Sequence, residues 1–359
     1  MNNNKKYFTK CLLLWNKNQN KRLMPWKGEK DPYKIWLSEI ILQQTRVEQG
    51  WNYYNRFINA FPNIEKLARA PQEKVFKLWE GLGYYTRCKN LIETAKFIAK
   101  ERQGRFPDTY LDILLLKGVG PYTAAAIASF AFKLPHAVVD GNVFRVLARF
   151  FGIETAIDNT TGKKLFTALA EELLDKKLPG IYNQAIMDFG AVICKPKNPV
   201  CGVCPLKTQC IALLQNKIDL LPVKLGKLIK KNRWFYYLIV DYNGKVYVKK
   251  RGPKDIWENL YEFILLEDEK LLSLDQIKQH ALFKTVVDKN SFEIIQVSKM
   301  YRQQLTHQTI HGRFIQLKVK QALPLKNYKA ITYKELAKLP FPKFITAYLA
   351  ENELQAFER

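Results

Sequence analysis

Four cysteines near the middle of this chain have the spacing of metal ligands. They are Cys194, Cys201, Cys204 and Cys210, with six, two and five residues between successive members. Proline residues between them suit a compact loop, because proline restricts the turn dihedral angles in advance. Four thiolates satisfy either a tetrahedral zinc ion or an iron–sulfur cluster. Structural zinc sites usually pair two short C-x-x-C hooks, whereas this loop has one, so the uneven spacing favours a cluster.

The overall composition predicts a basic protein that binds a polyanion. The 359 residues contain 58 Lys and Arg against 33 Asp and Glu, which gives a formal net charge of +25. Such a charge favours nucleic acid through neutralisation of phosphates, although a generally lysine-rich proteome is an alternative explanation. The polar, basic start of the chain is not a signal peptide, so we expect a soluble cytoplasmic protein in which disulfides are the weaker interpretation of the cysteines.

The hydrophobic pattern predicts two domains of different class. Apolar positions recur at helical spacing from Lys34 to about Ile218, which indicates a mainly α domain over residues 1–220. A basic segment at 221–233 is predicted to be a linker. Alternating and β-branched runs then indicate a sheet-containing domain at 234–350, followed by a tail at 351–359. Within it we expect a hairpin at 234–249, strands at 292–297 and 312–319, and helices at 273–283 and 333–339.

Two further motifs in the helical part could carry chemistry. Gly118 and Gly120 lie in a turn between two predicted helices, at about residues 113–128, where a phosphate could approach the main chain and a helix N-terminus. An ordinary helical hairpin is the alternative. Asp140 precedes another helix and is expected to be its N-cap, a catalytic carboxylate that stabilises a developing sugar cation, or both.

The order of hairpin, aspartate and four-cysteine loop resembles the helix-hairpin-helix DNA glycosylases that carry an iron–sulfur cluster. The resemblance covers about residues 22–215, and the strings Ser38–Val47 and Trp79–Arg87 are similar to the adenine DNA glycosylase (MutY) family. It implies a helix-hairpin-helix glycosylase fold with a [4Fe-4S] cluster on the four cysteines. Residues Asp255–Phe263 resemble the family's C-terminal α/β Nudix-like domain. That region has no glutamate-rich metal-binding helix, so we expect it to recognise a base and not to hydrolyse nucleotides.

The resemblance implies base-excision repair of adenine mispaired with 8-oxoguanine or guanine, leaving an abasic site. Glu39, on an apolar helix that would raise its pKa, is expected to be the acid that protonates the leaving base. Asp140 would stabilise or attack the sugar cation, with Tyr122 and Asn142 orienting the two carboxyl groups. Relatives that also cut the backbone have a lysine at the position of Tyr122, which indicates a monofunctional glycosylase.

The same resemblance assigns residues to the DNA. Gln44, Thr45, Leu82 and Tyr84 would fill the space of the extruded base, and Thr306 and His307 would recognise 8-oxoguanine after Leu305, which replaces the family's usual aromatic residue. Arg22 and Trp26 would line the adenine pocket. The expected partner is duplex DNA, bound by a monomer at the nucleoid. The alternatives are a thymine or uracil mismatch glycosylase on the same scaffold and a non-enzymatic iron–sulfur DNA-binding protein.

Overall fold

The computed structural model describes residues 3–226, 230–287 and 291–352 and divides the chain into two compact units. The first unit comprises Met1–Arg69 with Lys89–Gly226, and the second comprises Ala70–Cys88 with Lys227–Arg359. The division after Gly226 falls within the predicted linker 221–233, of which residues 227–229 lie outside the described part, as does the predicted tail beyond Asn352. Across the three described ranges, no helix has the length and apolarity that spanning a bilayer requires.

The first unit is helical, as its periodicity predicts. Its helices are α1 (Asn3–Asn18), α2 (Pro32–Leu42), α3 (Val47–Ala60), α4 (Ile64–Arg69), most of α6 (Tyr85–Glu101), α7 (Tyr110–Leu114), α8 (Pro121–Ala131), α9 (Gly141–Phe151), α10 (Thr160–Leu173), α11 (Pro179–Val192) and α12 (Ile211–Leu214). One core cluster joins α1, α8, α9, α10 and α11, and the cysteine loop packs against it.

Local capping explains where the helices that carry the predicted site begin. Asp31 caps α2 by accepting a hydrogen bond from the backbone of Tyr33, and Pro32 occupies the first turn. Gly120 caps α8, with Pro121 at its first position. The first helix of the predicted glycine hairpin, α7, is a single short turn of five residues. The two glycines therefore lie where one helix ends and the next begins.

The second unit contains an eight-stranded sheet. Its strands are β1 (Lys231–Tyr242), β2 (Lys245–Lys250), β3 (Tyr261–Glu262), β4 (Ile264–Asp268), β5 (Phe292–Val297), β6 (Tyr301–Gln304), β7 (Gln308–Val319) and β8 (Lys329–Thr332). The main path runs β3-β2-β1-β7-β5, with β1 and β7 parallel and the other pairs antiparallel. Its helices are α13 (Leu274–Gln279), α14 (Ala281–Val287), α15 (Tyr333–Leu336) and α16 (Lys343–Glu351).

The predicted hairpin at 234–249 and the strands at 292–297 and 312–319 are confirmed as β1–β2, β5 and part of β7. The predicted helix at 273–283 consists of two helices, because the backbone of His280 is extended between α13 and α14. The predicted helix at 333–339 is shorter, since α15 ends at Leu336. These differences concern element boundaries and leave the mixed α/β class of the unit unchanged.

An unpredicted feature is that Ala70–Cys88 belongs to the second unit, although it lies far from the rest of that unit in sequence. It contains α5 (Gln72–Trp79) and the turn after it. The Lys77 ammonium donates to the carbonyl of Leu339 at 2.9 Å, and the backbone of Phe341 donates to Glu80 at 2.8 Å. Long-range contacts of this kind leave no periodic trace in the sequence.

Candidate active site

Glu39 is a buried carboxyl group on the apolar helix α2. Glu39 is 6% exposed, and its immediate neighbours Ser38 and Ile40 are buried as well. Burial is the main cause that raises the pKa of Glu39 to about 7, and the charge of Asp140 contributes to the rise. A hydrogen bond with Tyr122 opposes the rise. A glutamic acid with such a pKa holds a proton near neutral pH and can donate it. The predicted desolvation of this side chain is therefore present.

Asp140 is the N-cap of α9, as one of its two predicted roles requires. One carboxylate oxygen accepts the backbone N–H of Val143 at 2.8 Å, and the other accepts the Asn142 side-chain amide at 2.7 Å. Burial raises the pKa of Asp140, while these hydrogen bonds and the charge of Arg145 oppose the rise. Because both oxygens have donors, the orientation of the carboxyl group is well defined.

Tyr122 lies in the first turn of α8, and its hydroxyl is close enough to the carboxyl groups of Glu39 and Asp140 to interact with both. Burial raises the pKa of its hydroxyl well above the ordinary value, and the nearby charges of Glu39 and Asp140 add to the rise. The hydroxyl therefore stays protonated. It hydrogen-bonds Glu39 and also contacts the sulfur of Met187 at 3.5 Å. A neutral phenol at this position can orient a carboxyl group and cannot form a Schiff base.

Asn142 is held in place by a buried arginine on the same helix. Arg145 is 9% exposed and donates to the Asn142 side-chain oxygen at 2.8 Å and to the carbonyl of Gly190 at 2.7 Å. The Nε of Arg145 donates to the carbonyl of Cys194 at 2.7 Å. One side chain thus connects the Asp140–Asn142 pair with the first cysteine of the predicted cluster loop.

A cavity of 210 Å³ opens beside Glu39 in the first unit. Trp26, Ser38, Phe130 and Gln184 are among the side chains that line it. The Gln184 amide nitrogen donates to Asp188 at 3.0 Å, and because a carboxylate only accepts, the amide group must present its carbonyl oxygen elsewhere. The cavity therefore combines a proton donor, an aromatic wall and an amide that can accept a hydrogen bond.

Asp188 holds two of the lining residues, Gln184 and Lys27, because both donate to its carboxylate. Its side chain is fully buried and receives hydrogen bonds from Arg22 at 2.9 Å, Lys27 at 3.0 Å and Asn20 at 2.8 Å. Arg22 thus binds Asp188 and is not one of the lining residues, whereas Lys27 is among them. These donors compensate the loss of hydration of the buried carboxylate and fix its orientation.

The four cysteines occupy one loop after α11, where short 3₁₀ turns at Cys201–Val203 and Lys207–Gln209 separate them. Burial and, to a smaller extent, the other three cysteines raise the pKa of Cys204 to about 12, so the thiols lie near one another. The buried Arg149 contacts the Cys194 sulfur at 3.6 Å and donates to the carbonyl of Lys195 at 2.7 Å.

No three Cys, His, Asp or Glu side chains in the described ranges form a group that could hold a metal ion. An iron–sulfur cluster makes a different demand, because each thiolate binds its own iron and the sulfurs do not meet at one point. Four neighbouring thiols with an arginine against one of them fit that demand. The loop residues therefore suit a cluster, which Cys194, Cys201, Cys204 and Cys210 would hold.

The sequence matches two family models and several curated relatives. Residues 37–174 match the HhH-GPD superfamily base excision DNA repair protein, and residues 235–351 match a NUDIX domain. The adenine DNA glycosylase of Buchnera aphidicola subsp. Baizongia pistaciae is 36% identical over 308 residues, which cover 85% of this chain and 84% of that protein. The chain belongs to the adenine DNA glycosylase family. It is accordingly a DNA repair glycosylase, a hydrolase that acts on N-glycosyl bonds.

A further relative and two solved structures are also similar to this glycosylase. The adenine DNA glycosylase of Homo sapiens is 41% identical over 214 residues, which cover 57% of this chain and 39% of the human protein. Among solved structures, a thermostable thymine-DNA glycosylase matches 60% of this chain and 98% of its own with a TM-score of 0.56 and 31% identity. A complex of endonuclease III with DNA matches with a TM-score of 0.52 and 19% identity, which shows the same fold.

The first unit of this adenine DNA glycosylase family member places its predicted DNA contacts in two turns. Gln44 and Thr45 come after Gln43, the C-cap of α2, and Gln44 is exposed with a left-handed φ of 56°. Gly118 has a φ of 80°, and a Cβ there would meet Asn90 at 2.8 Å, so the turn requires glycine. Gln43, between Glu39 and these turns, donates to Thr123 at 3.2 Å on α8.

The second unit brings together predicted residues from opposite ends of its sequence. The hydroxyls of Tyr84 and Thr306 are 2.5 Å apart. Tyr84 is 46% exposed, Leu82 is buried, and His307 is exposed beside Thr306 in the tight turn between β6 and β7. Both residues belong to the second unit, so their contact does not depend on the first unit.

Three residues of this site were missed in the sequence: Gln184, Asp188 and Arg145. Gln184 and Asp188 stand four residues apart on the mainly apolar helix α11. Arg145 and Arg149 likewise stand four apart on α9, and both are buried. Polar residues at this spacing on one face of an apolar helix were the available signal, since residues four apart on a helix are neighbours.

Proposed function

We propose that this glycosylase removes adenine opposite 8-oxoguanine in duplex DNA and leaves an abasic site without cutting the backbone. The observation that carries the proposal is the buried Glu39, whose pKa is raised to about 7 by burial, at the wall of a cavity large enough for a flipped base. The adenine DNA glycosylases among its relatives support the choice of base. A substrate in genomic DNA also agrees with action at the nucleoid.

The proposed reaction uses the two carboxyl groups differently. Glu39 donates its proton to a ring nitrogen of adenine, so that the bond between the base and C1′ breaks and its electron pair leaves with the neutral base. Asp140 stabilises the sugar cation that remains, either by charge or by forming a transient bond to C1′. Water then adds to C1′ and gives its proton to the Glu39 carboxylate, which restores the acid.

Gln184 supports selection of adenine at the cavity. One N–H of its amide donates to Asp188, which orients the amide group, and its carbonyl oxygen is the group proposed to meet the base. Adenine presents an exocyclic amine that donates, whereas guanine presents a carbonyl oxygen at the corresponding position. The carbonyl oxygen of Gln184 would accept from the former and face a like partial charge on the latter.

Recognition of 8-oxoguanine is proposed for the Tyr84–Thr306 pair of the second unit. The exposed ring of Tyr84 offers a face on which a base can stack, and the Thr306 hydroxyl offers a hydrogen bond to a purine edge. His307, next to Thr306, is exposed and can contact either the base or a phosphate. Leu305 replaces the aromatic residue that is usual in the family, and this replacement leaves the hydroxyl of Thr306 able to bond the base.

The residue at position 122 supports the absence of strand cleavage. A buried, protonated tyrosine cannot form the Schiff base through which a lysine starts β-elimination. Lys117, the nearest lysine in the hairpin, is 61% exposed on its side chain and paired with Glu93. We propose that a [4Fe-4S] cluster on the four cysteines acts structurally, by holding the loop whose Cys194 carbonyl binds Arg145.

The test is single-turnover base release from duplexes that hold adenine opposite 8-oxoguanine, adenine opposite guanine, or thymine opposite guanine. Wild type is compared with Glu39→Gln, Asp140→Asn and, as a surface control, Glu154→Gln, whose side chain pairs with Lys217. We expect adenine release by wild type and the control, and a loss of at least about 100-fold in both site variants.

Strand cutting should require added alkali, and borohydride should trap no covalent complex with wild-type protein. Release of thymine in place of adenine would move the assignment to the mismatch glycosylase on the same scaffold. Tight binding with no base release from any duplex would support the DNA-binding alternative and overturn the proposal.

A further inference from the structure

Arg87 is a buried arginine whose guanidinium contacts two aromatic rings of the second unit. It is 8% exposed, and its guanidinium carbon lies 5.2 Å from the ring centroid of Trp79 and 5.4 Å from that of Tyr84. Burial lowers its pKa to about 10, so the guanidinium remains charged at neutral pH. A cation buried in this way is poorly placed to bind phosphate, and its contacts point to a role within the protein.

The segment held by Arg87 has a restricted backbone. Gly83 and Tyr84 both have left-handed φ angles, of 79° and 48°. A tyrosine in this conformation costs on the order of 1 kcal/mol, so other interactions must hold it. Arg87 donates to the carbonyl of Gly83 at 3.2 Å, and the Trp79 indole donates to the same carbonyl at 3.0 Å.

The held conformation exposes the Tyr84 ring and directs its hydroxyl to Thr306. The ring is 46% exposed although its inner side faces a buried cation, and the hydroxyl lies 2.5 Å from the Thr306 hydroxyl. Two contacts therefore connect three residues. The buried cation of Arg87 contacts the exposed ring of Tyr84, and the hydroxyl of Tyr84 contacts that of Thr306 on the β6–β7 turn. None of these contacts needs DNA in order to form.

We infer that Arg87 is a positioning residue that fixes Tyr84 against Thr306 and thereby sets the preference for 8-oxoguanine over guanine opposite the excised base. This inference rests on the proposed function. A guanidinium is needed, because its extended planar group can contact two rings and donate to the Gly83 carbonyl at the same time. A lysine would keep the charge, but its compact ammonium could not make these three contacts together, which leaves the Tyr84 ring free to rotate away from Thr306.

The experiment is a double-mutant cycle with Arg87→Lys and Tyr84→Ala. Single-turnover adenine release is measured on duplexes with 8-oxoguanine or guanine opposite adenine, and the ratio of the two rates is compared. We expect Arg87→Lys to lower the ratio about tenfold, by removing a desolvated cation–π contact. In the Tyr84→Ala background the same substitution should change the ratio less than about twofold, because its target is already absent.

The matched control is Arg251→Lys. Arg251 is also buried in the second unit and also contacts a tryptophan ring, at 5.8 Å from Trp257. In the part of the chain that the structure describes, no hydrogen bond, ion pair or ring contact joins it to Tyr84 or Thr306. The ratio should be unchanged in this variant. Circular dichroism and melting temperature identify any variant that has lost its fold.

An unchanged ratio in Arg87→Lys, or an equal loss in the presence and absence of Tyr84, would overturn the inference. So would a loss of the same size in Arg251→Lys. Binding of the same duplexes, followed by fluorescence anisotropy at fixed salt, gives the ratio independently of chemistry. If wild type releases no adenine, the proposed function fails, and the binding ratio in the cycle still decides whether Arg87 positions Tyr84.

Discussion

Burial and, to a smaller extent, the carboxylate of Asp140 raise the pKa of Glu39 to about 7. The two carboxyl groups of the site therefore differ in their roles through their surroundings. Glu39 lies on an apolar helix and keeps its proton, whereas Asp140 receives hydrogen bonds from Val143 and Asn142 that favour its charged form. Burial raises the pKa of both groups, but at Asp140 several donors and the charge of Arg145 oppose the rise, whereas at Glu39 the opposing contribution is the hydrogen bond of Tyr122.

The rate of adenine release should fall as the pH rises through about 7, because only protonated Glu39 can donate. The single-turnover rate, measured from pH 5 to pH 9 at constant ionic strength, should lose about tenfold for each pH unit above that pKa. Glu39→Gln should show a low rate without this decline. A rate that increases across the same range would exclude Glu39 as the acid.

Tyr122→Phe should move the alkaline decline to higher pH. The Tyr122 hydroxyl hydrogen-bonds Glu39 and lowers its pKa, so removing the hydroxyl leaves burial less opposed and raises that pKa. The maximal rate should also fall, because the carboxyl group loses an orienting partner. The pH profiles of the two proteins, recorded on one duplex, check the direction. A shift toward lower pH would contradict the hydrogen bond as described.

Glu39→Gln should stabilise the protein at alkaline pH. A carboxyl group whose pKa is raised on folding binds protons more tightly in the folded state, so its cost is absent well below pH 4.5 and complete above about pH 7. A shift of that size corresponds to about 3 kcal/mol at pH 8 and about 1 kcal/mol at pH 5. The gain in melting temperature over wild type should therefore be larger at pH 8. An equal gain at both values would mean that ionisation of Glu39 is not its source.

Gly190→Ala should impair catalysis through Asn142. A Cβ at position 190 would lie 2.6 Å from the Cβ of Asn142 and 3.1 Å from its Cα, so α9 and α11 would have to separate. Overpacking of this kind costs about 1–3 kcal/mol, and the displaced Asn142 would no longer orient Asp140. We expect adenine release to slow by about tenfold or more.

Gly252→Ala is the control for this substitution, since a Cβ there meets nothing within 4 Å. Its rate and melting temperature should match those of wild type. Equal rates for Gly190→Ala and wild type would show that the two helices adjust without moving Asn142.

Removal of the proposed iron–sulfur cluster should slow base release as well as weaken DNA binding. Arg145 donates to the carbonyl of Cys194 and to the side chain of Asn142, so a disordered cysteine loop removes one of the anchors that hold Asn142. Cys204→Ser should lower the iron content per chain, and its rate at saturating protein should fall below that of wild type. If iron-depleted protein released the base at the wild-type rate under saturating conditions, the cysteine loop would contribute only to DNA binding.

Several parts of the site were predictable because they depend on neighbours in the sequence. Asp140 caps a helix through a backbone group three residues away, and Glu39 is buried because the residues around it on α2 are apolar. The cysteine loop was visible from its spacing. The strands β1, β2 and β5 followed from alternation and turn residues. Periodicity and capping act within a few residues, so a single sequence contains them.

What the sequence alone determined is therefore the set of chemical groups: an apolar helix with one glutamate, a capped aspartate, a glycine turn and four cysteines. The tertiary structure decided which groups meet. Asp188 binds Arg22 across 166 positions, and Tyr84 meets Thr306 across 222. Ala70–Cys88 joins the second unit for the same reason. Such contacts depend on how whole helices and strands pack, and packing is set by the shape of the complete core rather than by any local pattern.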